Sequence, residues 1–243
     1  MTTLGSESPT TLEIELLVKK TKATIEKRLI ELVEPISPLS LQKSVRYALS
    51  SGKKLRPLLL LLTVETLHGD TQAALDTACA LEMIHVYSLI HDDLPSMDND
   101  DFRRGKPALH KQFPEWLALL TGDFFLTYAF EILSSTKNLS DSQKISLIQT
   151  LSTHSGSNGM IGGQCLDLEM KNQVCTSEKL QLMHEKKTGA LFLAAVQCGA
   201  LIANASEKEK EILNIFGKNF GSAYQMFDDI ADISQNSSEA NGA

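Results

Sequence analysis

The stretch TQAALDTACALEMIHVYSLIHDD, Thr71–Asp93, decides what kind of fold this chain adopts. It is apolar over most of its length, shows no sustained alternation and is too long for a strand, so it reads as a long helix buried in a helical core. Gly69 and Asp70 punctuate the chain before it. Pro95, which has no N–H for a helix interior, bends or stops the helix just beyond it. The end of this helix runs into HDDLPSMDNDDFRRGK, His91–Lys106. Five aspartates, Asp92, Asp93, Asp98, Asp100 and Asp101, fall there within ten residues, and three cations follow in the next five. Like charges so close repel, and their cost has to be offset by solvent, by cations or by both.

The remaining sequence is helical in character. TLEIELLVKKTKATIEKRLIEL places apolar residues at Leu12, Leu16, Leu17, Ile25, Leu29 and Leu32 among charges, as in an amphipathic helix. Another run follows Pro38 and breaks at Gly52; LLLLLTVETL after Pro57 is apolar enough for a central helix. Further runs extend from about Trp116 to Leu133 and from Asp141 onward, and the helical pattern persists through the glycine-rich GMIGGQCLDLEM. Thr176 opens the next run as an imperfect cap, without a capping box, whereas Ser206 has Glu209 three residues later. The reading is one all-α domain over residues 1–243, with more helices than a four-helix bundle and no repeat or linker.

Composition narrows the class. The 243 residues suit one large domain, and a formal net charge of -7 argues against a general nucleic-acid surface. Cys79, Cys165, Cys175 and Cys198 are scattered without a CxxC pair, which fits a reducing, cytoplasmic setting. The N-terminus shows no secretory pattern. Thr188–Ala205 holds eighteen residues without a charge, near the length of a membrane span; its alanine, glycine, Gln197 and Asn204 favour a buried helix, so no membrane span is expected.

A second acidic cluster occurs in DDIAD. Asp228, Asp229 and Asp232 have three- and four-residue spacings, so a helix presents them roughly on one side. Hard divalent cations take oxygen ligands, and Mg²⁺ commonly uses one or two carboxylates plus substrate phosphates. Two such clusters facing each other suit a polyphosphate. A calcium loop does not fit, because DNDDFRRGKPAL has no glutamate at its twelfth position.

The ordered set GKKLRP, HVYSLIHDDLPSMDNDDFRRGKP, LLTGDFFL, GGQCLDL, EKKTGALF and GSAYQMFDDIAD, spanning about residues 40–234, resembles the trans-isoprenyl diphosphate synthases of farnesyl or geranylgeranyl type. The resemblance implies an isoprenoid-synthase fold, a multi-helix bundle around a deep central cavity, in a homodimer. It also implies that the chain condenses an allylic diphosphate (dimethylallyl, geranyl or farnesyl) with isopentenyl diphosphate. Asp92, Asp93 and Asp98, with Asp228, Asp229 and Asp232, would then hold about three Mg²⁺ around the allylic diphosphate. Arg103 and Lys187 would grip the same group. Lys53, Arg56, His85 and Arg104 would bind isopentenyl diphosphate. Gln164, Thr188 and Gln225 would turn polar oxygens toward the developing cation. Asp100 and Asp101 would orient the two arginines, while Asp123 and Asp167 would support the site. Gly162 and Gly163 read as close-packing positions rather than a phosphate cradle.

The residues five and four before Asp92, Tyr87 and Ser88, lie one helical turn deeper. A growing chain would run past them, and an aromatic barrier at Tyr87 favours the fifteen-carbon product in the family resembled. Farnesyl diphosphate is therefore the expected product, with geranylgeranyl diphosphate, of twenty carbons, as the alternative. The sequence ends in ISQNSSEANGA where the family pattern continues with a lysine, a KxTYP-like segment and further helices. That difference keeps open a noncatalytic subunit of a heteromeric synthase. A terpene cyclase is disfavoured by the cluster Lys53, Arg56, His85 and Arg104, which a one-diphosphate reaction does not require.

Overall fold

The computed structural model describes residues 10–171 and 175–240, with the side chains of these except for Asp229 and residues 231–240. Among the described residues the chain forms α1 (Thr11–Val33), α2 (Leu39–Leu49), α3 (Leu55–Thr66) and α4 (Thr71–Asp92). A hairpin of β1 (Phe102–Arg103) and β2 (Lys106–Pro107) follows, then α5 (Leu109–Gln112), α6 (Glu115–Ser135), α7 (Asp141–Ser155), α8 (Met160–Met170) and α9 (Ser177–His184). A π-helical turn (Glu185–Gly189), α10 (Ala190–Ile202) and α11 (Glu207–Ala240) complete the order. The all-α reading holds.

Helix starts follow from side chains that satisfy the first free N–H groups. Asp70 accepts from the N–H of Gln72 at 2.9 Å and of Ala73 at 3.3 Å, which fixes where α4 begins. Thr10 with Glu13, Ser140 with Gln143 and Ser206 with Glu209 close reciprocal capping boxes. Thr176 accepts from Lys179 N–H at 3.4 Å and caps α9 without a box. At the other end of α4, regular helix stops at Asp92, just ahead of Pro95.

Helix α4 is the core of the molecule: 14 of its 22 residues are buried. It packs along α6 on one side and against α3 and α10 on the other, while α10 also meets α7 and α11. The uncharged Thr188–Ala205 stretch resolves into the end of the π-turn and α10, where 10 of 13 helical residues are buried. Phe125, Phe192, Leu81, Ile84 and Leu191 are among the largest fully buried side chains, each contributing about 1.5–3 kcal/mol by leaving water. By length and mean hydropathy α4 and α6 would both span a membrane; 78% of the apolar window of α4 and 44% of that of α6 is buried inside the bundle.

Three features depart from the sequence reading. The first half of α1 does not pack: Leu12, Leu16 and Leu17 are exposed, while Ile25 and Leu29 are buried. The run from Thr176 is not a regular α-helix throughout, because a π-turn interrupts its period at Glu185–Gly189. The two-residue strands around Arg103 were too short to leave an alternating pattern. The π-turn is held by close contact with α8. A Cβ on Gly163 would lie 2.2 Å from Lys187 N and 2.6 Å from Lys187 Cα, so the two backbones approach as only glycine permits. Gly163→Ala should therefore lower stability by about 1–3 kcal/mol in urea denaturation, as overpacking does. An unchanged midpoint would mean that α8 and the π-turn are free to separate.

Candidate active site

Glu82, His85, Leu89 and Asp92 run along one face of α4, and two cavities share that face. The first, of about 600 Å³, is polar; its lining includes Lys53, Arg56, Glu82, His85, Arg103, Arg104 and Asp228. The second, of about 580 Å³, is mainly apolar; its lining includes Tyr87, Leu126, Met160, Ile161, Gln164, Leu168 and Lys187. Arg56, His85, Leu89 and Thr188 belong to both walls, so the cavities meet at this partition.

The cationic wall of the polar cavity comes from three chain segments. Lys53 and Arg56 come from the α2–α3 loop and the start of α3, His85 from α4, and Arg104 from the hairpin. Arg104 and Gly105 hold the two central turn positions, with φ of +54° and +74°, as a two-residue hairpin of type I′ requires. Arg104 Nη1 donates to Ser51 O at 3.1 Å. It also packs on Gly52, where φ is +115° and a Cβ would meet that Nη1 at 2.1 Å. His85 Nε2 accepts from Arg56 Nη1 at 3.2 Å and from Arg104 Nη2 at 3.3 Å. Guanidinium groups only donate, so the ring is neutral and carries its proton on Nδ1. Burial, with the charges of Arg56 and Arg104, keeps His85 well below the usual histidine range. Burial likewise lowers Arg56 to about 10, against the opposing charge of Glu82, and its guanidinium sits 4.4 Å above the Phe192 ring.

The acidic end is arranged carboxylate by carboxylate. Asp98 N–H donates to Asp92 O at 2.9 Å and folds the second aspartate back on the first. Asp92 accepts from Gln164 Nε2 and lies 4.0 Å from Lys187 Nζ, which also donates to Asp167 at 2.6 Å. Lys171 pairs with Asp98. Arg103 takes Asp93, which is 3% exposed, and also Asp100 at 3.0 Å. The expectation that Asp101 orients an arginine is not met: its exposed side chain pairs with Lys111, 2.8 Å away. Among the described residues no three His, Cys, Asp or Glu side chains already converge as a metal cage. The donor set, hard carboxylate oxygens of Asp92 and Asp98 joined through their backbones, nevertheless fits Mg²⁺, which needs few protein ligands when phosphates supply the rest.

Thr188 Oγ1 donates to Gln225 Oε1 at 2.9 Å, bringing two of the expected cation-facing groups together. Asp228 reaches the polar cavity wall; the side chains of Asp229 and Asp232 lie outside the described residues. In the apolar cavity Tyr87 is 5% exposed, and its buried hydroxyl has no hydrogen-bond partner. Burial pushes that hydroxyl up to about 12. Its ring lies edge-on to His91 at 5.8 Å. Ser88 Oγ donates back to His85 O at 2.8 Å and so leaves a small, locally satisfied side chain on the wall. Lys171, the pair Lys54–Glu82 and the apolar walls from α6 and α8 were not found from sequence, since only the folded packing brings them here.

These features agree with the family comparisons. A family model described as polyprenyl synthetase matches residues 38–242, and the chain belongs to that family. It is similar to a farnesyl diphosphate synthase of Geobacillus stearothermophilus, 43% identical over 226 residues that cover 91% of this chain and 76% of that protein. It is also similar to a geranylgeranyl diphosphate synthase of Cyanophora paradoxa, 44% identical with 87% and 72% covered. A crystal structure of an FPP/GFPP synthase from Zymomonas mobilis superimposes with a TM-score of 0.87 at 37% identity, covering 92% of this chain and 83% of the other.

Burial raises Asp92 from the ordinary 3.8 to about 6, with Lys187 opposing the rise and Asp98 adding to it. A raised carboxylate favours the protonated fold, so this contribution is full below 3.8 and lost as pH climbs toward about 6. Asp92→Asn removes that loss. In EDTA-containing buffer the variant should be more stable than the parent at pH 7 by about 1–2 kcal/mol after solvent screening, and the two should converge below pH 4. A variant less stable at pH 7 would show that Asp92 is a structural anchor instead.

Proposed function

We propose that this chain is a trans-prenyltransferase that joins an allylic diphosphate to isopentenyl diphosphate, with farnesyl diphosphate as its product. The observation that carries this reading is the shared wall. A cavity lined by Lys53, Arg56 and Arg104 meets an apolar cavity headed by Asp92 at Arg56, His85, Leu89 and Thr188. One side suits a diphosphate with a short tail; the other suits a diphosphate whose long hydrocarbon needs a dry tunnel. A cyclase needs only the second.

In this reading Lys187 neutralises the allylic diphosphate as its C–O bond breaks, with Arg103 acting on it from the cationic side, where it pairs with Asp93. Mg²⁺ bound by Asp92, Asp93 and Asp98 with Asp228, Asp229 and Asp232 would stabilise charge on that leaving group. Lys53, Arg56 and Arg104 hold isopentenyl diphosphate, and neutral His85 fixes the two arginines by accepting from both. The alkene of isopentenyl diphosphate attacks the allylic cation where the two cavities meet, beside Thr188 and Gln225, which present oxygens, while Gln164 holds Asp92. A new C–C bond forms, and the proton lost from the coupled product goes to the released diphosphate. Apolar walls exclude water, which would otherwise capture the cation.

Tyr87 supports the fifteen-carbon product because it is a buried aromatic wall one turn below Asp92. Relatives named for both product lengths share similar identity with this chain, so the wall rather than the likeness carries the choice. We also place a second copy against α6, whose Trp116, Leu119 and Leu120 form an exposed apolar stripe at helical spacing. Light scattering should then give a dimer, and Trp116→Asp should shift it toward monomer; a monomeric parent would contradict this placement.

Purified protein given dimethylallyl and isopentenyl diphosphates with Mg²⁺ should yield mainly the fifteen-carbon diphosphate, and Tyr87→Ala should lengthen it. A dominant twenty-carbon product would overturn the assignment of length. Failure to consume isopentenyl diphosphate would overturn the coupling reaction, and activity regained only on adding a second synthase subunit would identify the chain as a subunit of a heteromer.

A further inference from the structure

Lys53 and Lys54 are neighbours in sequence and opposites in environment. Both line the cationic cavity, but Lys53 is exposed whereas Lys54 is 2% exposed. The backbone turns between them: Lys54 has φ of +55°, the left-handed region that a residue with a Cβ seldom enters. Its ammonium donates to Leu49 O at 3.2 Å and Ser51 O at 2.8 Å, tying down the end of α2 and the loop after it. It also lies 3.2 Å from Glu82 Oε1, with both side chains 1% exposed. This is a contact of charge, since Glu82 Oε1 has no hydrogen-bond partner.

Glu82 stands three residues before His85, on the same face of α4, and lines the same cavity. Arg56, whose buried Nε has no hydrogen-bond partner, loses charge preference through burial, and Glu82 is the strongest carboxylate influence restoring it. One carboxylate on the rigid core helix thus faces two cations on the loop that carries Lys53. Buried ion pairs are poor devices for stability alone, since apolar side chains of similar volume often do as well. A pair that joins a strained loop to the central helix beneath a cluster of donors has a positional use.

Resting on the reaction proposed above, we propose that the buried Lys54–Glu82 pair is the positioning element of the isopentenyl diphosphate site. It pins the loop from Ser51 to Arg56 against α4, so that Lys53, Arg56, His85 and Arg104 converge on one diphosphate. Neither residue is assigned contact with the reacting atoms; both act through the cations around them.

The test compares the parent with Glu82→Gln, Lys54→Met and the double variant Lys54→Met/Glu82→Met by steady-state kinetics and urea denaturation. Each single variant should raise the KM for isopentenyl diphosphate by about tenfold or more, leaving the KM for the allylic diphosphate unchanged, as misplacement of a binding group does. The double variant, with no buried charge left unpaired, should regain the parent's denaturation midpoint yet keep the raised KM. It carries the test even if the single variants fail to fold. A double variant with the parent's KM, a parallel rise in both KM values, or a double variant that does not fold would assign the pair to the scaffold and overturn the inference. A parent that consumes no isopentenyl diphosphate would sink the proposed reaction itself, and this inference with it; with an active parent, only the pair is at stake.

Discussion

One constraint organises this molecule: α4 must be buried almost completely, yet its last turn has to present carboxylates. The helix meets both demands by turning one strip of its second half toward the cavities. Glu82, His85, Leu89 and Asp92 follow one another along that strip at helical spacing, and each lies on a cavity wall. Everything around it serves to bring partners to the strip. The α2–α3 loop delivers Lys53 and Arg56, the hairpin delivers Arg103 and Arg104, α8 delivers Gln164, and the π-turn delivers Lys187 and Thr188.

The electrostatics follow from the same geometry. Carboxylates half-withdrawn from water favour their protonated form, as Asp92 and Asp93 do, and the cations beside them oppose that shift. Arg103 serves Asp93 and Asp100, Lys171 serves Asp98, and Lys187 stands between Asp92 and Asp167. The arginines that would repel one another in the cationic cavity are instead joined through neutral His85. The arrangement sets a polar, cation-lined cavity and a mainly apolar one side by side, with Arg56, His85, Leu89 and Thr188 in both walls.

The helical fold was legible because its main signals are local. The apolar run from Thr71, the stop at Gly69–Asp70 and the cap at Ser206 all act through near neighbours in sequence. The two arginines and the acidic clusters were legible as composition, and their order matched a known pattern. What was hidden depends on packing or on backbone angles. Leu12, Leu16 and Leu17 follow the amphipathic pattern but find no neighbour among the described residues that buries them. The π-turn at Glu185–Gly189 leaves no periodic trace, since one extra residue in a turn changes no composition. Lys54 looks like Lys53 until a left-handed φ turns it inward. Asp101 looks like Asp100 until Lys111 claims it.

The central claim is that two diphosphates bind on opposite sides of the Arg56–His85–Leu89–Thr188 partition. A crystal structure of the chain with a non-ionising allylic thiolodiphosphate, Mg²⁺ and isopentenyl diphosphate tests it most directly. The account predicts the allylic diphosphate at Asp92 and Lys187 with its tail running past Ser88 to Tyr87, and isopentenyl diphosphate against Lys53, Arg56 and Arg104. An allylic tail lying in the cationic cavity, or both ligands on the same side of the partition, would contradict it.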